Sequence, residues 1–176
     1  MIYINNLILT LIAMNGINLV DFTKETNLSH WQVIDDNVMG GSSLGSLVLN
    51  KDGNAVFKGN ISLENYGGFS SIQYFFDSKK VESYSKFVLY IKGDGKRYQF
   101  RIKENEKNYY SYVYYFQTNN DWQRIEIPFN KMYPSFRGRR LNMANFSGNS
   151  IQQVGFLFGN KKAENFQLEI NKIGIE

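Results

Sequence analysis

The sequence predicts an all-β domain from three features: short alternating segments, dispersed glycines and an unusual number of aromatic residues. Apolar and polar residues alternate at every second position, as they do in strands with one face toward water. The 15 glycines are spread along the chain between these segments, and no window keeps the apolar spacing of an amphipathic helix over three turns. The 14 Phe and 12 Tyr suit the pleated, half-buried surface of a sheet.

About ten short strands are predicted, and their number and spacing indicate a β-sandwich or jelly roll. Alternation is clearest after Ala55 and near the C-terminus around Leu168. The predicted strands lie near residues 18–22, 31–34, 46–50, 55–63, 69–76, 86–92, 97–103, 109–118, 122–129, 151–158 and 166–171.

Residues 86–118 are predicted to form a meander of three consecutive paired strands. The first turn, Gly93-Asp94-Gly95-Lys96, is a strong tight-turn signal. With this pairing the core face is formed by Tyr98, Phe100, Ile102, Tyr110, Tyr112, Tyr114 and Phe116. The opposite face is polar, carries aromatic residues and is a candidate binding face, formed by Arg97, Gln99, Arg101, Lys103, Tyr109, Ser111, Val113, Tyr115 and Gln117.

The composition excludes several kinds of site. Without cysteine, the chain has no disulfide, no zinc–thiolate centre and no thiol nucleophile. His30 is the only histidine, so mechanisms that need a pair of histidines are excluded within one chain, and we expect His30 to be structural. The formal charge of +4 is small for a nucleic-acid binder. We predict no cofactor, no metal and no nucleic-acid partner.

The N-terminus has two interpretations. Residues 7–14 form an apolar run of the length found in signal peptides, but residues 1–6 contain no Lys or Arg. Residues 1–16 are therefore either a cleaved export signal or an N-terminal arm, and residues 17–176 form one β-sandwich domain. The run is too short for a membrane span. The corresponding locations are the cytoplasm or, if the run is a cleaved signal, a compartment outside it.

Two glycine-containing segments hold candidate binding residues. In residues 31–43 these are Asp35, Asp36, Met39, Gly40 and Gly41. The two carboxylates are suited to acid–base chemistry or cation binding, but a loop in which they cap backbone N–H groups is favoured. In residues 57–71 the candidates are Glu64, Asn65, Gly67 and Gly68. A hairpin turn accounts for Asn65 and the glycines but not for Glu64.

A third segment, residues 132–141, contains Arg137, Arg139 and Arg140 with no acidic residue between them. Arginine presents a planar fork that binds carboxylates, phosphates or hydroxyls, although a solvated loop is the ordinary interpretation of such a run. We expect the Arg137 and Arg139 side chains to join those of the first two segments in one polar binding patch.

Motifs along nearly the whole chain, residues 18–176, resemble the complex I intermediate-associated protein 30 family. They are Trp31, Asp35-Asp36, Met39-Gly40-Gly41-Ser42, Phe57-x-Gly59, Ser62-Leu63-Glu64-Asn65-x-Gly67-Gly68-Phe69, Lys92-Gly93-Asp94-Gly95-Lys96-Arg97-Tyr98, Tyr115-Phe116-Gln117, Trp122 and Phe136-Arg137-Gly138-Arg139. The resemblance implies a galactose-binding-domain-like jelly-roll β-sandwich in a bacterial, stand-alone member.

The resemblance also implies a function, because the mitochondrial members are chaperone-like assembly factors for respiratory complex I. The expected function is therefore a non-catalytic module that binds a protein partner. The alternative is carbohydrate binding, with Tyr109, Tyr115 and Trp122 stacking on sugar rings. A glycosidase built on Asp35 or Asp36 with Glu64 is not favoured.

Overall fold

The computed structural model describes residues 16–176, which form two antiparallel sheets packed face to face. Sheet A contains β1 (Ile17–Asp21), β3 (Leu44–Leu49), β4 (Ala55–Ile61), β6 (Lys86–Lys92), β9 (Trp122–Pro128) and β13 (Glu164–Ile175). Sheet B contains β2 (Trp31–Asp35), β5 (Ser70–Lys80), β7 (Arg97–Lys103), β8 (Ser111–Gln117), β10 (Tyr133–Phe136), β11 (Arg139–Arg140) and β12 (Ser150–Phe158). Single 3-10 turns lie at Leu28–His30, Asp36–Met39, Glu64–Tyr66 and Phe129–Lys131.

The order of strands in the sheets decides which loops meet. Sheet A runs β3-β4-β13-β6-β9, with β1 also paired to β13, and sheet B runs β11-β10-β8-β7-β12-β5-β2. This architecture confirms the predicted all-β sandwich. The two interpretations of residues 1–16 concern a segment that lies, but for Gly16, outside the described residues, and the domain boundary stays a prediction.

The core lies between the sheets and is built largely from aromatic rings. Phe87 of sheet A meets Phe100 of sheet B with ring centroids 5.2 Å apart. Phe166 of sheet A stacks on Phe158 of sheet B at 4.6 Å. These side chains are fully or almost fully buried, so the alternation in the sequence marks the inner face of each strand correctly.

The predicted pairing of β7 with β8 is confirmed, but the predicted meander is wrong at its first turn. Tyr98 opposes Phe116 and Ile102 opposes Tyr112, as expected. However, β6 pairs with β13 and β9 in sheet A, whereas β7 lies in sheet B. The turn at 93–96 therefore crosses between the sheets, and Asp94 supports it by accepting hydrogen bonds from Tyr98 Oη (2.9 Å) and Gln167 N (3.1 Å). A turn signal indicates a change of direction and does not specify the sheet that follows.

Residues 132–141 also differ from the prediction, because they contain a β-hairpin instead of a polar loop. Phe136 pairs with Arg139, and the two residues between them, Arg137 and Gly138, have φ of 47° and 74°. Positive φ at both central positions is the requirement of a two-residue hairpin turn. A run of arginines is typical of a solvated loop, so the sequence pattern does not predict this short strand pair.

Candidate functional site

Nine of the eleven predicted binding residues lie on or beside two adjoining loops, here called the double loop (residues 36–43 and 62–69). The first loop connects β2 to β3 and the second connects β4 to β5. Because β2 pairs with β5 and β3 pairs with β4, both loops emerge at the same end of the sandwich. The two segments that hold these residues therefore lie next to each other.

Asp36 joins the two loops. Its carboxylate is fully buried and accepts hydrogen bonds from Ser43 N (2.9 Å), Ser43 Oγ, Gly68 N and Phe69 N (3.3 Å). Ser43 Oγ in turn accepts from Ser62 N at 3.0 Å. Burial raises the pKa of Asp36, but the bonds from Ser43, Gly68 and Phe69 outweigh it and hold the pKa below the usual value. Asp36 is therefore an ionised structural link, in accordance with the capping interpretation.

The neighbouring glycines make room for this carboxylate. A Cβ atom at Gly41 or at Gly67 would collide with the Asp36 side chain. Gly68 has φ of +135°, a conformation that L side chains rarely adopt. Asp35 makes a simpler contact, because its Oδ2 accepts from Gly45 N of β3 at 3.0 Å.

The double loop exposes several large apolar side chains. Tyr66 is 100% exposed, Val38 69% and Met39 58%. Leu63 and Leu44, the first residue of β3, are also exposed. We call these five side chains the apolar rim: Val38, Met39, Leu44, Leu63 and Tyr66. Of these five, the sequence motifs include only Met39 as a candidate binding residue, because an apolar loop residue gives no sign of its exposure in the sequence.

The tip of the second loop is strained. Asn65 and Tyr66 have φ of 53° and 62°, so two consecutive residues other than glycine adopt the left-handed conformation. Glu64, like both of them, is exposed. Strain of this kind is concentrated at functional positions, where the surrounding structure maintains it.

Arg137 and Arg139 lie elsewhere, and the expected single patch is wrong on this point. They belong to the β10–β11 hairpin at one edge of sheet B, whereas Asp35 ends β2 at the other edge. Five strand spacings separate β2 from β10, a distance of about 24 Å. The sequence order of the segments contained no signal for this separation.

The outer face of sheet B is basic and carries tyrosines, as the β7 and β8 pattern indicated. Strand register places Arg97, Arg101 and Lys103 of β7 on this face. Through the pairing of β8, β10 and β11 it adds Tyr115, Tyr133 and Arg140. We call these six side chains the basic face. Arg97 lies over the Tyr115 ring at 4.6 Å, and Arg140 lies over the Tyr133 ring at 4.8 Å.

The three aromatic residues predicted to stack on sugars do not share a surface. Tyr115 is on the basic face, whereas Trp122 stacks on Tyr90 of sheet A at 5.2 Å. Tyr109 precedes β8 and packs against Phe136 at 5.3 Å. A sugar site formed by all three is therefore not present.

The described part of the chain contains neither a metal-binding cluster of side chains nor a membrane-spanning helix. Within residues 16–176, no three His, Cys, Asp or Glu side chains come together as a set that could hold a metal ion. Over the same residues, no helix is long and apolar enough to cross a membrane.

Comparison with known sequences gives a consistent match. The family model for Complex I intermediate-associated protein 30 matches residues 20–170. The mouse protein "Complex I intermediate-associated protein 30, mitochondrial" is 26% identical over 177 residues, covering 88% of this chain and 54% of the mouse protein. The Drosophila melanogaster protein of that name is 26% identical over 185 residues, covering 89% of this chain and 61% of the fly protein. The chain thus spans little more than half the length of these relatives.

Comparison with solved structures identifies the architecture. A family 11 carbohydrate-binding module from Clostridium thermocellum, in complex with a β-1,3-1,4-mixed-linked tetrasaccharide, has a TM-score of 0.66 at 20% identity, covering 91% of this chain and 95% of the module. An agarase has a TM-score of 0.60 at 10% identity, covering 92% of this chain and 24% of the agarase. At such identities the likeness shows the fold alone, and it confirms the jelly-roll β-sandwich.

Proposed function

Because the chain belongs to the complex I intermediate-associated protein 30 family, we propose that it is a non-catalytic module that binds a protein intermediate during assembly of a respiratory complex. The observation that supports this proposal best is the apolar rim of the double loop. Large exposed apolar patches on monomeric proteins mark interaction sites, and these five exposed side chains lie on or beside two adjoining loops. The curated relatives carry the association with complex I intermediates in their names.

The composition of the apolar rim favours a protein surface as its partner. Tyrosine and methionine are enriched at protein interfaces, and a fully exposed tyrosine such as Tyr66 is a typical anchor for a pocket on a partner. The strained backbone at Asn65 and Tyr66 keeps that anchor outside the fold. A partner that covers Tyr66 and Leu63 would bury apolar area that the chain alone leaves in water.

The predicted binding residues divide into two roles under this proposal. Met39 contacts the partner, with Glu64 and Asn65 beside it on the exposed loop surface. Asp36 and the four loop glycines hold the backbone in the shape that presents these side chains. The Asp36 carboxylate is occupied by internal donors, which supports a role in binding geometry instead of proton transfer.

The test is a quantitative capture experiment from native extract, with captured proteins identified by mass spectrometry. The wild-type chain is expected to capture a subunit of a respiratory NADH dehydrogenase or of its assembly intermediate. The Met39→Ser/Leu63→Ser/Tyr66→Ser variant removes three apolar rim side chains from exposed positions and is expected to fold but to lose this protein.

The control removes three exposed apolar side chains outside the double loop, at Ile17, Val48 and Met143. Ile17→Ser/Val48→Ser/Met143→Ser should capture the same subunit as the wild type. Equal capture by both variants, or a captured set without any respiratory-complex protein, would contradict the proposal.

Carbohydrate binding is the second candidate, and the basic face is the observation in its favour. Tyr115 and Tyr133 lie there beside Gln99 and arginines, which are residue types able to bond hydroxyl groups. Calorimetry with a panel of neutral oligosaccharides tests it. Saturable heat that Tyr115→Ala/Tyr133→Ala abolishes would support the candidate, and no heat across the panel would count against it.

A further inference from the structure

We propose that the basic face is a second binding site, which takes an extended acidic segment of a partner protein. This inference goes beyond the proposed function, because it concerns a surface formed by β7, β8, β10 and β11 instead of the double loop.

The cations of this face have no carboxylate partner within the described chain, although Lys103 Nζ donates to the carbonyl oxygen of Asn108 at 2.6 Å and Arg140 donates to Asn145 Oδ1 at 3.4 Å. The ion pairs among residues 16–176 involve Lys86, Lys96 and Arg124, and none involves Arg97, Arg101, Lys103 or Arg140. Four cations on one sheet surface therefore lack a carboxylate from the fold. A ligand that carries carboxylates would form ion pairs with these cations.

Burial sets Arg101 apart from an ordinary surface arginine. Burial lowers the pKa of Arg101, and the groups that oppose this effect are the hydroxyls of Tyr115 and Tyr133, not a carboxylate. Burial also lowers the pKa of Lys103, and Arg101 adds to that effect. A desolvated guanidinium without a carboxylate is costly to the fold and interacts strongly with an incoming anion.

A buried amide points to the same location. Gln153 is 1% exposed, lies opposite Lys103 in the register of β12 and β7, and its Oε1 has no hydrogen-bond partner in the described structure. Buried polar atoms are nearly always bonded. This atom is closed to solvent, so it marks an incompletely bonded region beneath Lys103 and is not itself a contact for a ligand.

The aromatic rings favour a polypeptide over a sugar or a nucleic acid. Sugars and bases bind tyrosines by stacking on the ring faces. Here guanidinium groups already lie over the rings of Tyr115 and Tyr133. These tyrosines therefore orient the arginines instead of offering two free platforms.

Strand spacing favours an extended chain. Arg97 and Arg101 are four residues apart on β7, a distance of about 13 Å, and Lys103 follows after about 7 Å. Side chains on one face of an extended polypeptide repeat at the same interval of about 7 Å. Carboxylates at every second position of a partner segment would match these cations.

The test measures fluorescence anisotropy of a labelled nine-residue peptide with Glu at alternate positions and Ser between them. The comparison ligands are a peptide of the same composition with contiguous Glu, an oligogalacturonate and a single-stranded RNA of equal charge. We expect the alternating peptide to bind most tightly at low ionic strength. Arg101→Gln/Lys103→Gln should weaken it at least about tenfold, since hydrogen bonds to charged groups contribute more than neutral ones.

Two further variants make the result specific. Arg97→Gln/Arg140→Gln changes only exposed members of the basic face and should also weaken binding, even if the half-buried Arg101 and Lys103 prove difficult to replace. Lys51→Gln/Lys162→Gln removes the same charge from exposed positions elsewhere and should change affinity less than about twofold. An equal loss in this control, no saturable binding, or tighter binding of any comparison ligand would overturn the proposal.

The inference can fail independently of the proposed function. The Met39→Ser/Leu63→Ser/Tyr66→Ser variant should bind the alternating peptide as the wild type does. Failure of peptide binding with partner capture intact would reject only the acidic-segment site, and the reverse outcome would reject only the double loop.

Discussion

The double loop and the basic face each contain a charge that burial desolvates, fully at Asp36 and partly at Arg101, but the two charges have different partners in the fold. Four N–H and O–H donors from the chain itself surround the Asp36 carboxylate. The Arg101 guanidinium has two tyrosine hydroxyls as its opposing groups and no ion pair within residues 16–176. A charged group whose hydrogen bonds are made within the fold stabilises the fold. A charged group without a counter-ion in the fold is available to bind a ligand.

The largest expected decrease in the free energy of unfolding follows from the substitution of Asp36. Asp36→Ala leaves buried donors of Ser43, Gly68 and Phe69 without an acceptor, at about 1–3 kcal/mol for each unsatisfied group. Urea unfolding should show a decrease of about 3 kcal/mol or more in the free energy of unfolding. Asp52→Asn, at an exposed turn position, is the control and should change it by less than about 0.5 kcal/mol. A decrease in the free energy of unfolding of less than about 1 kcal/mol for Asp36→Ala would contradict the structural role of Asp36.

Substitution of Gly41 should lower the free energy of unfolding by a smaller amount, which depends on the presence of the Asp36 carboxylate. Gly41→Ala places a Cβ against the Asp36 carboxylate and should lower the free energy of unfolding by about 2 kcal/mol, as overpacking does. In the Asp36→Ala background the collision is relieved, and the same substitution should cost clearly less. A double-mutant cycle measures this coupling, and additive effects would show that the two residues act independently.

Acid pH should weaken the link at Asp36. Since the folded pKa of Asp36 lies below its usual value of 3.8, its contribution is complete above 3.8 and is lost as the pH falls through the folded pKa. The difference in unfolding free energy between wild type and Asp36→Asn should therefore narrow below about pH 4. Urea titrations from neutral to acid pH check this, and a constant difference would contradict it.

Much of the fold was predictable from single residues and their spacing. Tyr98, Phe100 and Ile102 alternate with polar neighbours, and they are fully buried as expected. The error at Gly93–Lys96 has a physical cause, because Phe87 and Phe100 satisfy their burial by facing each other across the sandwich. Strand alternation is the same whether consecutive strands pair side by side or lie in opposite sheets.

The candidate site was predictable in part. Asp36, Gly41, Gly67 and Gly68 could be grouped from sequence because their types do not serve strand formation. The separation of Arg137 from Asp35 depends on the order of seven strands, which no local pattern encodes. Tyr66 and Leu63 could not be assigned to the surface for a related reason, since an apolar side chain gives no sign of exposure by itself.

The most direct test of the difference between the two charges is the thermal unfolding of Arg101→Met without any ligand. Methionine retains the length of the side chain and removes a desolvated charge that has no carboxylate partner, a change that is often neutral or stabilising. We predict a melting temperature equal to or above that of the wild type, together with loss of acidic-peptide binding. A large fall in melting temperature, comparable to that of Asp36→Ala, would show that Arg101 serves the fold and would contradict the account.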